Sequence, residues 1–298
     1  SAETAYACYT ENDYTVTVAA SAGGSVASTS VTGHVSTKVT LPTATADVGY
    51  YFTGWTVTTG TATLTSASSA TAAQVNGLTA AATVQANFAP IWYLKGDFNS
   101  WGEGNPIALA SSTSGSVVLT TTSAKLSNSK FKIWNKQTDT YYQKANQSIT
   151  RAANTASGGW TNGGTSNDMK FNSDVIGNYT FAVTFSSNIP SALTVTYPTA
   201  YTVTFGKGTG GSSVSASATS AGGSFTSGSY VASGDVVTFS QTPATGYSFK
   251  GWYTTASGST SAGVVNNQLT ISNANKTVYA QYNPKNYTIT LDVDEANK

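Results

Sequence analysis

VGYYFTGWTV (48–57) returns as TGYSFKGWYT (245–254), and the same landmarks surround both copies in the same order. YTVTVAASAGGSV opens the first copy at Tyr14, and YTVTFGKGTGGSSV opens the second at Tyr201. VQANFAP (84–90) closes one and VYAQYNP (278–284) the other. Three ordered anchors over about 80 residues make an internal repeat. Within each copy, apolar and polar residues alternate between Gly-rich turns. That pattern predicts short antiparallel strands in a small sandwich or grasp-like sheet. Trp55 and Trp252 occupy equivalent places, and a Trp placed alike in two scaffold copies reads as a core residue rather than a ligand platform.

The repeat divides the chain. A lead-in over 1–13 precedes a repeat over 14–90, and a second repeat covers 200–284. A third opening, NYTITLDVD (286–294), begins a truncated segment over 285–298. Between the repeats, 91–199 has another character: it holds four of the six Trp, the single Met and the single Arg. The anchors G-Y-x-F-x-G-W and aromatic-x-P resemble the bacterial surface repeat of internalin B and other large secreted proteins. The resemblance implies a spacer or adhesin-like unit on a bacterial surface, not a catalyst.

Composition sets the class. Of 298 residues only 9% are charged, and 14 basic groups balance 13 acidic ones, so there is no basic field for nucleic acid. Thr, Val, Tyr and Phe favour strands and 28 Gly supply turns, which makes the chain all-β. No apolar run approaches the roughly 18 residues of a membrane span, so no membrane insertion is expected. The opening residues lack a basic stretch followed by an apolar one, so no secretory leader is legible in them. A single Cys8 forms no internal disulfide, which suits an extracellular protein. His34 has no Asp or Cys at ligand or triad spacing, and LPTAT (41–45) lacks the context of a cell-wall sorting signal.

The middle segment reads as strands throughout: IWYLKGDF, SVVLTTT, KFKIWN, TYYQK, DMKFN, NYTFAVTF and ALTVTYP. Seven short strands in about 110 residues suggest an immunoglobulin-like sandwich. The expected plan is therefore a β-sandwich binding module between two small antiparallel repeat domains. In Lys130-Phe131-Lys132-Ile133-Trp134, alternation sends Phe131 and Ile133 to one side and the two Lys with Trp134 to the other. A core does not take two Lys, so Trp134 falls on the open face beside Lys132. An exposed Trp there calls for a partner or ligand. One of Tyr141 and Tyr142 shares that face, and Trp160 sits in the Gly-rich stretch GGWTNGGTSND with Asn162 and Asn167 nearby.

Flat aromatic faces rimmed by amide, ammonium and hydroxyl groups suit sugars, whose C–H faces stack while their hydroxyls need partners. Two rings at an angle fit a curved α-1,4-glucan, and a coplanar row fits a flat β-1,4 chain. YLKGDFNSW (93–101) followed by FKIW resembles the starch- and glycogen-binding modules of carbohydrate-binding families 26 and 48 and of the starch-binding lipoproteins of gut Bacteroides. Gly96, Phe98, Asn99 and Trp101 match the first element of that pattern, and Phe131 and Lys132 the second. Tyr141 or Tyr142 stands near the third and Asn167 near the fourth. The resemblance implies Trp101 and Tyr141 or Tyr142 as platforms, with Lys132 and Asn167 bonding hydroxyls. Trp134 and Trp160 are additional, and either is a candidate third platform.

Catalysis is not expected. Glycoside cleavage normally needs two carboxylates about 5–9.5 Å apart in a cleft, and Asp97 and Asp139 lie in turn-like contexts. Phosphate-loop and metal-ligand spacings are missing, so no cofactor and no metal is expected. Three readings stand: an α-glucan binder tethering a secreted or cell-surface protein to starch, a binder of another polysaccharide such as β-glucan or chitin, and a protein-binding adhesin. The expected state is a monomeric part of a larger multidomain protein or starch-degrading complex.

Overall fold

The computed structural model describes residues 3–111, 113–164 and 167–291. The fold is all-β: the strands are short, and a single turn of 3-10 helix over Asp97–Asn99 is the only helical element among the described residues. Three separate hydrophobic clusters form, around Val16, Trp55 and Val84, around Phe131 and Phe181, and around Val203, Phe239 and Trp252.

Each repeat has its own four-stranded main sheet, with the same strand order in both. In the first, the order is Ser30–Gly33, Tyr14–Ala20, Ala82–Pro90, Tyr50–Thr59; in the second, Ser229–Ala232, Ala200–Lys207, Lys276–Pro284, Tyr247–Tyr253. One pairing in each repeat departs from the expected antiparallel pattern. Tyr14–Ala20 runs parallel to Ala82–Pro90, and Ala200–Lys207 parallel to Lys276–Pro284. More than 60 residues separate each pair, enough for the crossover that a parallel neighbour requires. The repeated motif now has a physical reason. The Gly before each Trp sits at a β-bulge with φ 140° at Gly54 and 151° at Gly251, a conformation that side chains resist. The bulge turns Trp55 and Trp252 inward, where they are 4% and 7% exposed. Their indole N–H groups donate to Ser69 O at 3.1 Å and to Asn267 Oδ1 at 2.9 Å.

The middle segment folds one continuous sheet over on itself. Its order is Ser148–Ile149, Met169–Phe171, Ser129–Asn135, Trp92–Gly96, Pro106–Ser111, Ser114–Thr121, Gly177–Ser186, Ile189–Thr196, Thr155–Ser157. Thr140–Lys144 and Trp160–Asn162 extend it from the side of Ser129–Asn135. Pro106–Ser111 is the fold line, pairing first with Trp92–Gly96 and then with Ser114–Thr121. Trp92, Leu94, Phe131 and Ile133 from one half meet Phe181, Phe185 and Leu193 from the other. Tyr179 closes one corner: its hydroxyl donates to Val175 O at 2.6 Å, as corner tyrosines of such sandwiches do. Of the expected third opening at 286–294, residues 292–294 lie outside the described residues, and 286–291 form no strand.

Candidate functional site

Register builds the site. On Ser129–Asn135, Trp134 lies opposite Tyr93 on one side and Tyr141 on the other, and Lys132 lies opposite Lys95. Alternation puts these five side chains on one face of the sheet. Ile133, Leu94 and Trp92 take the other face, together with Tyr142, whose ring lies 5.7 Å from that of Trp92. Tyr141 is therefore the tyrosine of the open face.

Trp101 reaches this face from the turn that follows Trp92–Gly96. Asn99 organises the turn. Its Oδ1 accepts from Gly96 N at 2.9 Å, and its Nδ2 donates to Leu94 O at 3.0 Å and Asn105 Oδ1 at 2.9 Å. Asp97 does the rest, accepting from Trp101 Nε1 at 3.1 Å and from Lys130 N at 2.8 Å. Trp101 takes φ 61°, and its N–H donates to Gly96 O at 2.9 Å. At Gly96 a Cβ would stand 2.3 Å from Lys130 O, so only Gly lets the turn approach the strand. The rings of Trp101 and Tyr141 stand 6.4 Å apart at 59°. With Lys132, Asp168, Gly163 and Gly164 they line an open cavity of about 460 Å³.

Polar groups form its floor. Lys132 Nζ lies 3.0 Å from Asp168 Oδ1 and also donates to Gly164 O. Both side chains are more than nine-tenths enclosed, and a buried ion pair persists only when such hydrogen bonds support it. Gln143 Nε2 donates to Gly163 O at 3.1 Å and holds the Gly-rich loop against the sheet. Burial raises the Tyr141 phenol above its usual range, helped by the charges of Asp139 and Glu103.

Several expected residues stand elsewhere. Trp134 is on the predicted face but is only 6% exposed, so it is no open platform. Lys95 Nζ sits 3.3 Å above its ring, Tyr93 and Tyr141 flank it at 5.5 and 6.0 Å, and its Nε1 donates to Asp139 Oδ1 at 3.0 Å. Alternation decides the side of a sheet, not what covers it. Trp160 begins a short strand paired with Thr140–Lys144, leans on the core, and lines a separate hollow with Gly158, Gly159 and Pro190. Asn167 is exposed and does not line the cavity, and its carbonyl accepts from Asn146 N at 3.4 Å. The next residue, Asp168, takes the inward place. Sequence reasoning missed Asp168, Gly163 and Gly164 as lining groups. The available signal was the Lys pair at 130 and 132, which needs a counter-charge on the facing strand: Met169 pairs with Phe131, and Asp168 precedes it.

Among the described residues no cluster of three His, Cys, Asp or Glu is placed to hold a metal, and no helix is long and apolar enough to cross a membrane.

The pattern of the divergent InlB B-repeat domain matches residues 14–91 and 201–286, more than half of the chain. The chain belongs to this family. The two InlB B-repeats thus coincide with the two outer segments, and the residues lining the cavity lie in the interval between them. Among solved structures the chain is similar to SusF from Bacteroides thetaiotaomicron, at 9% identity and a TM-score of 0.24, over 76% of this chain. It spans 64% of that protein, less than two thirds of its length. No curated protein matches the sequence.

Proposed function

We propose that the module between the InlB B-repeats binds α-glucan without cleaving it, and that the repeats present it on a bacterial surface or within a secreted protein. The observation that carries the reading is the pair Trp101 and Tyr141. Their rings meet at 59° across an open cavity with an ammonium and a carboxylate in its floor. Angled rings follow the curvature of an α-1,4-linked chain, whereas a flat β-1,4 chain asks for coplanar rings. The carboxylates of the module support binding rather than hydrolysis, because each is engaged. Asp97 holds the turn, Glu103 pairs with Lys136, Asp139 accepts from Trp134, Asp168 pairs with Lys132, and Asp174 with Arg151. None is left as the uncommitted acid that glycoside cleavage requires.

Titration calorimetry of the full chain with maltoheptaose, in parallel with cellohexaose and chitohexaose, tests the reading. A shallow site with two rings should give Kd of about 10 μM to 1 mM for maltoheptaose. Salt should hardly alter it, since a neutral sugar releases no counterions. Binding of cellohexaose or chitohexaose instead would reassign the glycan, and binding of none of the three would leave a protein-binding surface.

A further inference from the structure

Lys95 stands beside Trp134 and Tyr141 without a polar partner. The residue is only 6% exposed and among the described residues its ammonium makes no hydrogen bond and no ion pair, yet Nζ is not one of the fully enclosed polar atoms and still reaches solvent. What it has is aromatic: Nζ lies 3.3 Å above the Trp134 ring and 5.8 Å from the Tyr141 centroid. A cation over an indole gains up to about 2 kcal/mol when desolvated, but that contact leaves N–H donors unused. An ammonium has three donors, and with no protein acceptor in reach they are left to solvent or to a ligand that displaces it. The other lysines of the site are answered, Lys132 by Asp168 and Lys136 by Glu103.

We propose that Lys95 is a ligand-binding residue of this site, a hydroxyl-directed donor held in place by Trp134. The inference rests on the glycan reading above and deepens it. Lys95 and Lys132 lie 5.8 and 5.9 Å from the Tyr141 centroid. A sugar ring stacked on Tyr141 has its hydroxyls at its rim, and the two ammonium groups stand at nearly equal distances from that tyrosine, Lys132 in the lining of the cavity and Lys95 beside it. The chemistry of the missing acceptor follows from the surrounding charge. Glu103 and Asp139 already place negative charge near Lys95, so the ligand needs to supply a lone pair and not a second anion. A neutral hydroxyl or ether oxygen does that, and a carboxylate or phosphate is not required. Burial also lowers the Lys95 ammonium below its usual range, against the raising influence of Glu103 and Asp139, consistent with a cation short of partners. Trp134 then acts as the seat of the donor rather than as a stacking platform.

The test is Lys95→Met, which keeps the apolar stem over Trp134 and removes the charge. Maltoheptaose affinity of the full chain should fall about tenfold or more, the loss of one charge-assisted hydrogen bond. The melting temperature should nearly hold, because methionine keeps the apolar contact with Trp134 and the ammonium has no protein acceptor to lose. Unchanged affinity overturns the proposal, and so does a melting temperature that drops together with affinity, since that makes Lys95 a structural residue. Trp101→Ala separates the two levels. If wild type binds and Trp101→Ala does not, while Lys95→Met binds normally, only the role of Lys95 falls. If wild type does not bind maltoheptaose, the glycan reading falls and takes this one with it.

Discussion

Trp101 is held at φ 61°, in the left-handed region where a large L-residue is strained by about 1–2 kcal/mol. The turn around it supplies the restraint, through Asp97 on the indole N–H and Gly96 O on the main chain. Backbone strain concentrates where a side chain must be aimed, and here it aims an indole at Tyr141. Replacing the ring should weaken maltoheptaose binding 5- to 150-fold, about 1–3 kcal/mol by analogy with stacking on bases. Ala and Gly should lose affinity equally, yet Trp101→Gly should be more stable than Trp101→Ala by about 1 kcal/mol, because Gly accepts this φ freely. Calorimetry and thermal melts of the two variants check both statements. Equal stability would mean that the turn does not hold φ 61° in solution.

At the scale of elements, the turn and the strand it leans on stand or fall together. Asn99→Ala removes the acceptor for Gly96 N and the donor to Leu94 O and Asn105 Oδ1, at a cost of about 2–4 kcal/mol. Thermal stability and glucan affinity should drop together, since the same turn carries Trp101. In the repeats the two properties should separate. Trp55→Ala or Trp252→Ala should cost about 3–5 kcal/mol of core packing and leave binding intact in the folded fraction. A folded Trp55→Ala protein that fails to bind would show that the repeats contribute to the site.

The same elements show what was legible in the sequence. Period-two alternation separated Phe131 and Ile133 from Lys132 and Trp134, and the repeated anchors marked the outer sheets. Alternation carries no information about neighbours, so the cover that Lys95, Tyr93 and Tyr141 place over Trp134 was invisible. Parallel pairing of the first and last strands of each repeat was hidden for a related reason, because both partners show the same alternation whichever way they run. Asp168 was obscured by its place at the end of a Gly-rich stretch, where only the register of Met169 against Phe131 reveals which way it faces.

The whole molecule is tied at its joints. Before the module, Ile91 N donates to Gly49 O at 2.8 Å; after it, Ile176 N donates to Ser220 O at 2.6 Å. The single Arg, Arg151, pairs with Asp174, donates to Pro198 O at 2.8 Å and lies 4.9 Å from the Tyr230 ring of the second repeat. Buried phenols set the alkaline limit of this assembly. Burial pushes Tyr179 up to about 12 and also raises Tyr93, Tyr141, Tyr197 and Tyr282. A phenol raised in the folded state stays protonated there while its unfolded counterpart ionises near pH 10. Its stabilising contribution is therefore complete below pH 10 and disappears as pH climbs toward 12. For Tyr179 that amounts to about 2–3 kcal/mol. Denaturant midpoints between pH 9 and 12 should fall steeply for wild type and less so for Tyr179→Phe, and parallel curves would remove this tyrosine from the account.

The parallel strands of the repeats bear on how the molecule carries load. Tyr14–Ala20 and Ala82–Pro90 lie side by side and point the same way, with Val16 paired to Ala82 and Ala20 to Ala86. Tension applied through the two ends of that repeat therefore pulls one strand backward and its neighbour forward. The ladder between them is loaded in shear, so its bonds must break together instead of peeling open one after another. The second repeat has the same geometry between Ala200–Lys207 and Lys276–Pro284. A sheet wired in this way is a stiff mechanical link, and the chain has one on each side of its middle module.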